Sequence, residues 1–171
     1  MTAEQRRHEI HTLLNAADAP VSATNLAGRF AVSRQVIVGD IALLRASGLD
    51  ISATPRGYIM SRNSGGLLRT VACFHSLADT SRELYAIVDN GCTALDVVVE
   101  HPIYGQLAGQ LQLQSRYDVD RFLEKLSAEV PPLSALTGGI HLHHLACPDE
   151  AAYRRVLDDL AKIGILLTEN A

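Results

Sequence analysis

The sequence predicts an α+β protein in which an N-terminal winged helix-turn-helix is followed by a ferredoxin-like α/β sandwich. Three short segments before residue 62 carry apolar residues at helical spacing, and a hairpin pattern follows them. The polar, glycine-rich segment 62–66 then interrupts this pattern. Beyond it, β-branched strands alternate with amphipathic helices, as in an α+β sandwich. The predicted domains are therefore residues 1–62 and 67–171.

The first domain is expected to follow the order helix, helix, short turn, helix, and then two strands that form a wing. Thr2, Ser22 and Ser33 each have a side-chain oxygen that can cap the start of a helix, and Gly48 suits the end of the third. Gly39 is unusual inside that helix, where glycine costs roughly 1 kcal/mol relative to alanine. This order of elements is typical of a DNA-binding domain. The residues expected to face its core are Ile10, Leu13, Leu14, Leu26, Ala27, Phe30, Val36, Ile37, Ile41 and Leu44.

The second domain is expected to follow the order strand, helix, strand, strand, helix, strand, with a final helix. In a ferredoxin-like sheet the first and fourth of these strands are antiparallel neighbours, so residues far apart in the sequence come together. We expect strands at 67–75, 93–100, 107–114 and 140–146, helices at 80–90, 118–128 and 149–163, and a short strand at 165–167.

Composition and charge limit the function classes. The net charge is −4 at pH 7, but residues 1–62 contain seven Lys or Arg against five Asp or Glu. The first domain is therefore mildly basic and can contact phosphates, whereas the second is acidic. No apolar run approaches the ~20 residues needed to span a bilayer, and the N-terminus lacks the apolar core of a signal peptide. We expect a cytoplasmic protein with no membrane partner, whose three cysteines are reduced thiols.

A helix-turn-helix reads DNA with the N-terminal side chains of its third helix, which lie in the major groove. Arg34 can bridge O6 and N7 of guanine, and Gln35 can bridge N6 and N7 of adenine, so both are predicted to read bases. Ser33 could donate to a phosphate, although capping the helix is an equally good reason for a serine there. Arg45 and Arg56 are predicted to meet the DNA backbone or the minor groove. The alternative is that these arginines only form a solvated surface.

Four residues of the second domain are expected to gather at one corner and to bind a metal ion. His141 and His143 alternate along a strand, so their side chains share a face, with Cα atoms roughly 7 Å apart. His75 ends the neighbouring strand, and Glu83 lies in the first turn of the next helix. Three imidazoles and a carboxylate suit Zn, Ni, Co or Fe(II) better than Mg or Ca. As alternatives, Glu83 could cap its own helix without any metal, and Cys73 is interpreted as a core residue.

Longer motifs resemble known families. The first domain is similar to the helix-turn-helix family that includes the DNA-binding domain of the biotin ligase repressor, through SRQVIVGDIALLRASG and ISATPRGYIM. The second resembles the 3H domain, named for its histidines, through CFH, ELYAIVDNG, LDVVVEHPIYG, LQLQSRYDV and LSALTGGIHLH. Together the two domains resemble the niacin-responsive transcriptional repressors over nearly the whole chain.

This resemblance implies a homodimer that binds palindromic, double-stranded operator DNA. Nicotinic acid would act as co-repressor, so that genes of NAD synthesis or niacin uptake are repressed when niacin is plentiful. The resemblance also implies one divalent transition metal ion per chain, Zn, Ni or Fe. Its ligands would be His75, Glu83, His141 and His143.

Three further residues are predicted to bind the ligand. His101 matches another histidine of the family and is expected, with Tyr104, to line the pocket. The alternative is that His101 only bonds to the backbone of its own turn. Arg116 is predicted to pair with the nicotinate carboxylate, because a guanidinium binds a carboxylate bidentately. The alternative for Arg116 is a surface salt bridge.

Two other functions are compatible with the same residues. A metal-dependent hydrolase or decarboxylase fused to a DNA-binding domain would use the ion to activate water, but Glu83 is the one evident general base and is already assigned as a ligand. A dimerisation module with a structural metal would keep its ion closed to outside molecules. Turnover of a substrate would identify the first, and unfolding on metal removal the second.

Overall fold

The computed structural model describes residues 1–61, 66–127 and 129–168. The chain forms two compact units, Met1–Asn63 and Ser64–Ala171. The predicted α+β class is confirmed, with a helical N-terminal unit and a second unit built on a four-stranded antiparallel sheet. The predicted linker residues 62–65, and residue 128 at the expected end of the fifth helix, lie outside the described residues.

The first unit has the predicted order of elements. Thr2, Ser22 and Ser33 each accept a hydrogen bond from a backbone N–H in the first turn of the helix that follows, so all three predicted N-caps are confirmed. Gly48 follows the third helix with a φ of 97°, a conformation that suits glycine. The elements are α1 (Ala3–Ala16), α2 (Ala23–Phe30), α3 (Arg34–Ala46), β1 (Ile51–Thr54) and β2 (Gly57–Met60).

The inner face of α3 differs from the prediction at two positions. Val36 was expected to face the core but is 37% exposed, so that prediction is wrong. Asp40 occupies an inward position instead and is buried. The Arg6 guanidinium of α1 pairs with its carboxylate, with Nε 2.6 Å from Oδ2. This ion pair offsets the cost of burying the charge and fixes α1 against α3.

The wing is attached to the start of α2. Val21 and Tyr58 exchange two backbone hydrogen bonds, of 2.8 and 2.9 Å. Gly57 makes this close approach possible, because a Cβ there would lie 2.4 Å from the carbonyl oxygen of Val21. The hairpin of β1 and β2 is therefore fixed to the helical part of the unit.

The second unit packs three helices against a sheet with the strand order β3-β6-β4-β5. All neighbouring strands are antiparallel, and the first and fourth strands, β3 and β6, pair as predicted. The second and fourth strands are central, whereas the first and third are central in the usual ferredoxin-like order. The elements are β3 (Leu67–Phe74), α4 (Thr80–Asp89), β4 (Thr93–His101), β5 (Gly105–Leu113), α5 (Arg116–Leu123), β6 (Ile140–Cys147) and α6 (Glu150–Lys162).

The alternation of β6 sets the position of the site. His141, His143, Leu145 and Cys147 are buried, whereas the residues between them are more exposed. Leu145 and Cys147 belong to the core beneath the helices, so the two histidines extend the same face of the strand. Among the described residues, no helix has both the length and the apolar character that a bilayer crossing would need.

Candidate functional site

Strand pairing and α4 bring the four predicted metal ligands together. His141 and His143 are 3% and 2% exposed. The register of β3 and β6 pairs Cys73 with His141, and His75 follows two residues later, just beyond the end of β3. Glu83 lies in the first turn of α4 and is 1% exposed. All four side chains are thus inside the fold rather than on separate surfaces.

The three imidazoles converge on the carboxylate of Glu83. The Nε2 atoms of His75 and His141 lie 2.7 and 2.8 Å from its two oxygens, and the Nε2 of His143 lies 3.4 Å away. The rings are nearly perpendicular to their neighbours, with centroids 4.9 Å apart for His75 and His141 and 5.0 Å apart for His141 and His143. This arrangement directs three nitrogens and a carboxylate to one small volume.

Backbone carbonyls fix the orientation of each ring. The Nδ1 atom of His75 lies 2.7 Å from the carbonyl oxygen of Ser76, and that of His141 lies 2.9 Å from that of Gly139. The Nδ1 of His143 contacts the carbonyl oxygen of Asp96. Because a carbonyl oxygen can only accept, each Nδ1 carries a proton and donates it. Each Nε2 is then the atom available for a second proton or for a metal ion.

Position 139 requires a glycine. Its φ is 104°, and a Cβ there would lie 2.4 Å from the carbonyl oxygen of His75. Its own carbonyl accepts from His141. A larger residue would therefore separate the two histidines that this glycine holds together.

The charges of the cluster are strongly coupled. Burial alone would raise the pKa of Glu83, but the charge of His143 and hydrogen bonds from His141 and His75 hold that pKa well below its usual value. Burial would lower the pKa of His75 and of His143, yet interaction with Glu83 raises both above the usual value. Without a metal, the charged forms of Glu83, His75 and His143 therefore stabilise one another.

The same geometry fits a divalent cation. Within the described part of the chain, the buried Nε2 of His143 has only the long, 3.4 Å contact with Glu83 and no hydrogen bond of good geometry, so it can take a better partner. The donor atoms of Cys73, Glu83 and His141 lie within 4.8 Å of one another. Cys73 is fully buried in the core, as interpreted from the sequence, and its thiol also borders the cluster. Nitrogen, oxygen and sulfur donors of this kind suit borderline transition metals.

His141 also lines a cavity of about 550 Å³. This volume lies within the ~300–1,000 Å³ typical of small-molecule sites. The cavity was not predicted, because it depends on how the 3-10 turn Leu133–Thr137 packs near β4, and no motif indicates that packing. Its walls are formed by Val98, Val99, Glu100, Gln106, Thr137, Ile140, His141 and Leu142.

The predicted ligand-binding residues lie in turns and surface ion pairs. The Nδ1 of His101 accepts hydrogen bonds from the backbone N–H groups of Ile103 and Tyr104, at 3.2 and 3.3 Å. The ring of His101 lies against that of Tyr104, with centroids 5.1 Å apart. Neither residue lines the cavity. The structure therefore gives His101 the turn-stabilising contacts of the alternative interpretation.

Arg116 is likewise occupied by other groups. Its Nε donates to the carboxylate of Asp89 over 2.7 Å, and its second contact to the same carboxylate is also short. The guanidinium lies over the ring of Tyr85, with Cζ 4.4 Å from the centroid. Asp89 thus holds the guanidinium that was predicted to bind a ligand carboxylate, and that assignment stays a prediction.

The N-terminal turn of α3 presents the predicted base-reading residues. Arg34 and Gln35 are exposed, whereas the hydroxyl of Ser33 accepts from the backbone N–H of Val36 at 3.3 Å. Gly39 lies on the same exposed side, and a Cβ there would meet nothing within 4 Å. The start and middle of this helix can therefore approach a groove without steric obstruction from the first unit.

Arg45 and Arg56, the two other predicted DNA contacts, differ in their exposure. Arg45 is exposed near the end of α3, but its Nε donates to the carbonyl oxygen of Ile51 over 2.7 Å. Arg56 is half-buried in the turn of the wing. Arg45 therefore connects α3 to β1, and any contact with phosphate would have to come from its remaining N–H groups.

The comparisons with known proteins agree with this architecture. Residues 6–59 match an HTH domain family and residues 68–169 match the 3H domain. The chain is 41% identical over 167 residues to the probable transcription repressor NiaR of Thermotoga maritima, covering 97% of this chain and 95% of that protein. It is 38% identical over 169 residues to the transcription repressor NadR of Bacillus subtilis, covering 96% and 94%.

These relatives are named as transcription repressors, which are regulators rather than enzymes. The same two domains occur here in the same order, with the helix-turn-helix first. The resemblance inferred from the sequence motifs is confirmed: this chain belongs to the niacin-responsive repressor family of NiaR and NadR, transcription repressors that join a helix-turn-helix domain to a 3H domain.

Proposed function

We propose that this repressor binds nicotinic acid at a divalent metal site in its 3H domain and that ligand binding strengthens its binding to operator DNA. The metal ligands in this proposal are His75, Glu83, His141 and His143. The observation that carries it is the convergence of three Nε2 atoms on one buried carboxylate, with the Nε2 of His143 lacking a hydrogen bond of good geometry.

The orientation of the three imidazoles supports this proposal. Carbonyl oxygens accept from all three Nδ1 atoms, so the Nε2 lone pairs are free for a cation once their protons leave. A bound divalent ion would supply a positive charge open to an acidic ligand. The donor set fits Zn, Ni or Fe and does not distinguish among them.

The cavity beside His141 supports a small aromatic acid as ligand. Val98, Ile140 and Leu142 provide apolar surface for a ring, and Gln106 provides an amide. Glu100 also lines the cavity, and none of its lining residues is Lys or Arg. A carboxylate ligand would therefore need the metal ion to neutralise its charge, which links ligand binding to metal binding.

We further propose that two copies of the chain bind a palindromic operator. Arg34 and Gln35 would read bases and Ser33 would approach the phosphates, while Arg45 and Arg56 would contact the backbone or minor groove. An apolar strip on the second unit, where the cross-strand pair Phe74 and Ile140 is half exposed, offers a surface that a second copy can cover. Two recognition helices about 34 Å apart would then meet successive major grooves.

The proposal is tested by measuring operator affinity with and without the ligand. Operator duplexes are first selected from random DNA by the metal-loaded protein with nicotinic acid. Fluorescence anisotropy then gives the Kd with nicotinic acid, nicotinamide or no addition. We expect nicotinic acid to tighten binding about 5- to 150-fold, the usual range of allosteric coupling. Equal affinities in all three conditions would contradict the co-repressor role.

A chelator-treated sample and a variant provide the controls. Removal of the metal should abolish the effect of nicotinic acid while leaving weaker, salt-dependent DNA binding. The His144→Ala protein should respond as the wild type does, because His144 bonds to Asp96 rather than to the cluster.

A further inference from the structure

Two cysteines that the proposed function does not use lie side by side in the 3H domain. The thiol of Cys92 donates to the sulfur of Cys147, with the two Sγ atoms 2.7 Å apart. Both side chains are 1% exposed. The third cysteine, Cys73, borders the histidine cluster instead.

Their positions follow from the central pair of strands. The antiparallel register of β4 and β6 pairs Thr93 with Ala146 and Ala94 with Leu145. Continued by one residue, it places Cys92 directly opposite Cys147. Directly opposed residues of antiparallel strands have Cα atoms about 4.5–5.5 Å apart, within the ~4.4–6.8 Å that a disulfide spans.

We propose that Cys92 and Cys147 form a reversible intramolecular disulfide by exchange with a low-molecular-weight disulfide. The thiolate of one cysteine attacks a sulfur of the small disulfide, which forms a mixed disulfide and releases one thiolate. The other cysteine then attacks the protein sulfur of that mixed disulfide, closes the Cys92–Cys147 bond and releases the second small thiolate. Two protein thiols are oxidised and one small disulfide is reduced to two thiols, so atoms and electrons balance.

The surroundings make this pair slow to react but well placed to close. Burial, helped by the hydrogen bond to Cys147, raises the pKa of Cys92 to about 12, so little thiolate exists while the site is closed. Cys92 precedes β4 and Cys147 ends β6, and strand ends open locally more easily than strand centres. Once a mixed disulfide forms, the second sulfur is already adjacent. The closed disulfide should therefore outlast the mixed one.

The bond would cross-link the sheet at one end. Cys147 also pairs with Leu67, the first residue of β3, so the disulfide would lie where three strands meet. It would close a loop across a sequence separation of 55 residues. A cross-link of this span reduces the entropy of the unfolded chain and should raise the melting temperature by about 5–10 °C.

The test uses the full chain equilibrated in buffers of oxidised and reduced glutathione until the free-thiol content is constant. Samples are quenched in acid, alkylated and mapped as peptides by mass spectrometry without reduction. We expect a cross-linked Cys92–Cys147 peptide that disappears on reduction, with Cys73 still alkylated as a thiol. Three results would overturn the proposal: both cysteines alkylated at every ratio, stable mixed disulfides with glutathione, or cross-links between chains.

Variants separate this site from the other cysteine. Cys73→Ser should keep the cross-link and the rise in melting temperature, whereas Cys92→Ser and Cys147→Ser should lose both. Circular dichroism of each variant checks that it folds. If a serine variant fails to fold, the wild-type comparison of melting temperature before and after reduction still decides, because an unchanged value overturns the predicted stabilisation.

Discussion

The exposed start of α3 and the histidine cluster of the 3H domain hold their candidate functional side chains in different ways. Arg34 and Gln35 project from the first turn of α3 into solvent. The cluster is buried, and both nitrogens of His75 and of His141 face fixed partners. The chain itself therefore fixes the cluster, whereas in the proposed function the side chains at the start of α3 would gain their contacts from DNA. Substitutions should reflect this difference.

The largest effect is expected at His143. His143→Ala removes one of the converging nitrogens, so metal affinity should fall more than about 100-fold, beyond the 10- to 100-fold typical for a residue that only orients a ligand. Isothermal titration with Zn or Ni measures the change.

The neighbouring His144→Ala is the matched control for that experiment. The side chain of His144 is 45% exposed and pairs with Asp96. Its metal affinity should stay within a few-fold of wild type. Comparable losses of metal affinity in both variants would contradict a direct role of His143 in metal binding.

A smaller and more selective effect is expected on the recognition helix. Arg34→Ala and Gln35→Ala should each weaken operator binding by about 1–3 kcal/mol and relax specificity at one base pair. Both side chains are exposed, so the free energy of unfolding should change by less than about 0.5 kcal/mol. Anisotropy against single-base operator variants measures the specificity. A loss that is uniform across all operator variants would indicate phosphate contact instead of base reading.

The smallest effect is expected at Gly39, where a substitution should change stability and operator affinity in opposite directions. Gly39→Ala should raise the free energy of unfolding by about 0.5–1 kcal/mol, because glycine is unfavourable inside a helix and the new methyl group meets nothing within 4 Å. Operator affinity should nevertheless fall several-fold if this face enters the groove. Urea unfolding and anisotropy measure the two quantities.

Gly28→Ala is the control for the predicted combination of higher stability and lower operator affinity. Gly28 lies in α2, and a Cβ there also meets nothing within 4 Å. It should gain similar stability without loss of affinity. Equal DNA binding by the Gly39→Ala protein and wild type would place the contact surface elsewhere on α3.

Local rules predicted most of the elements. Side-chain oxygens at Thr2, Ser22 and Ser33 mark helix starts that the structure confirms, because capping depends on neighbours within one turn. The alternation of His141 and His143 predicted their shared face, because side-chain direction along a strand is also a local property. One long-range assumption, the pairing of β3 with β6, was then sufficient to predict that His75 lies near them.

Features that depend on long-range packing could not be predicted. Asp40 takes an inward position of α3 because Arg6 of another helix neutralises it, and hydrophobic periodicity contains no such information. The Cys92–Cys147 contact depends on β4 lying next to β6, an order that differs from the usual ferredoxin-like sheet. Arg116 was predicted to bind a ligand carboxylate because its guanidinium can do so bidentately. Its contact with Asp89 was not predicted, because Asp89 lies in a different helix.

The carbonyl groups that orient the three imidazoles have a consequence for evolution. A peptide carbonyl cannot be removed by substitution, so Ser76 and Asp96 can change their side chains without losing the acceptors for His75 and His143. Gly139 is the exception, because any Cβ collides with the backbone of His75. Among diverging members of the family, the orientation of the imidazoles should thus tolerate side-chain changes at two of its three supports and depend on a glycine at the third.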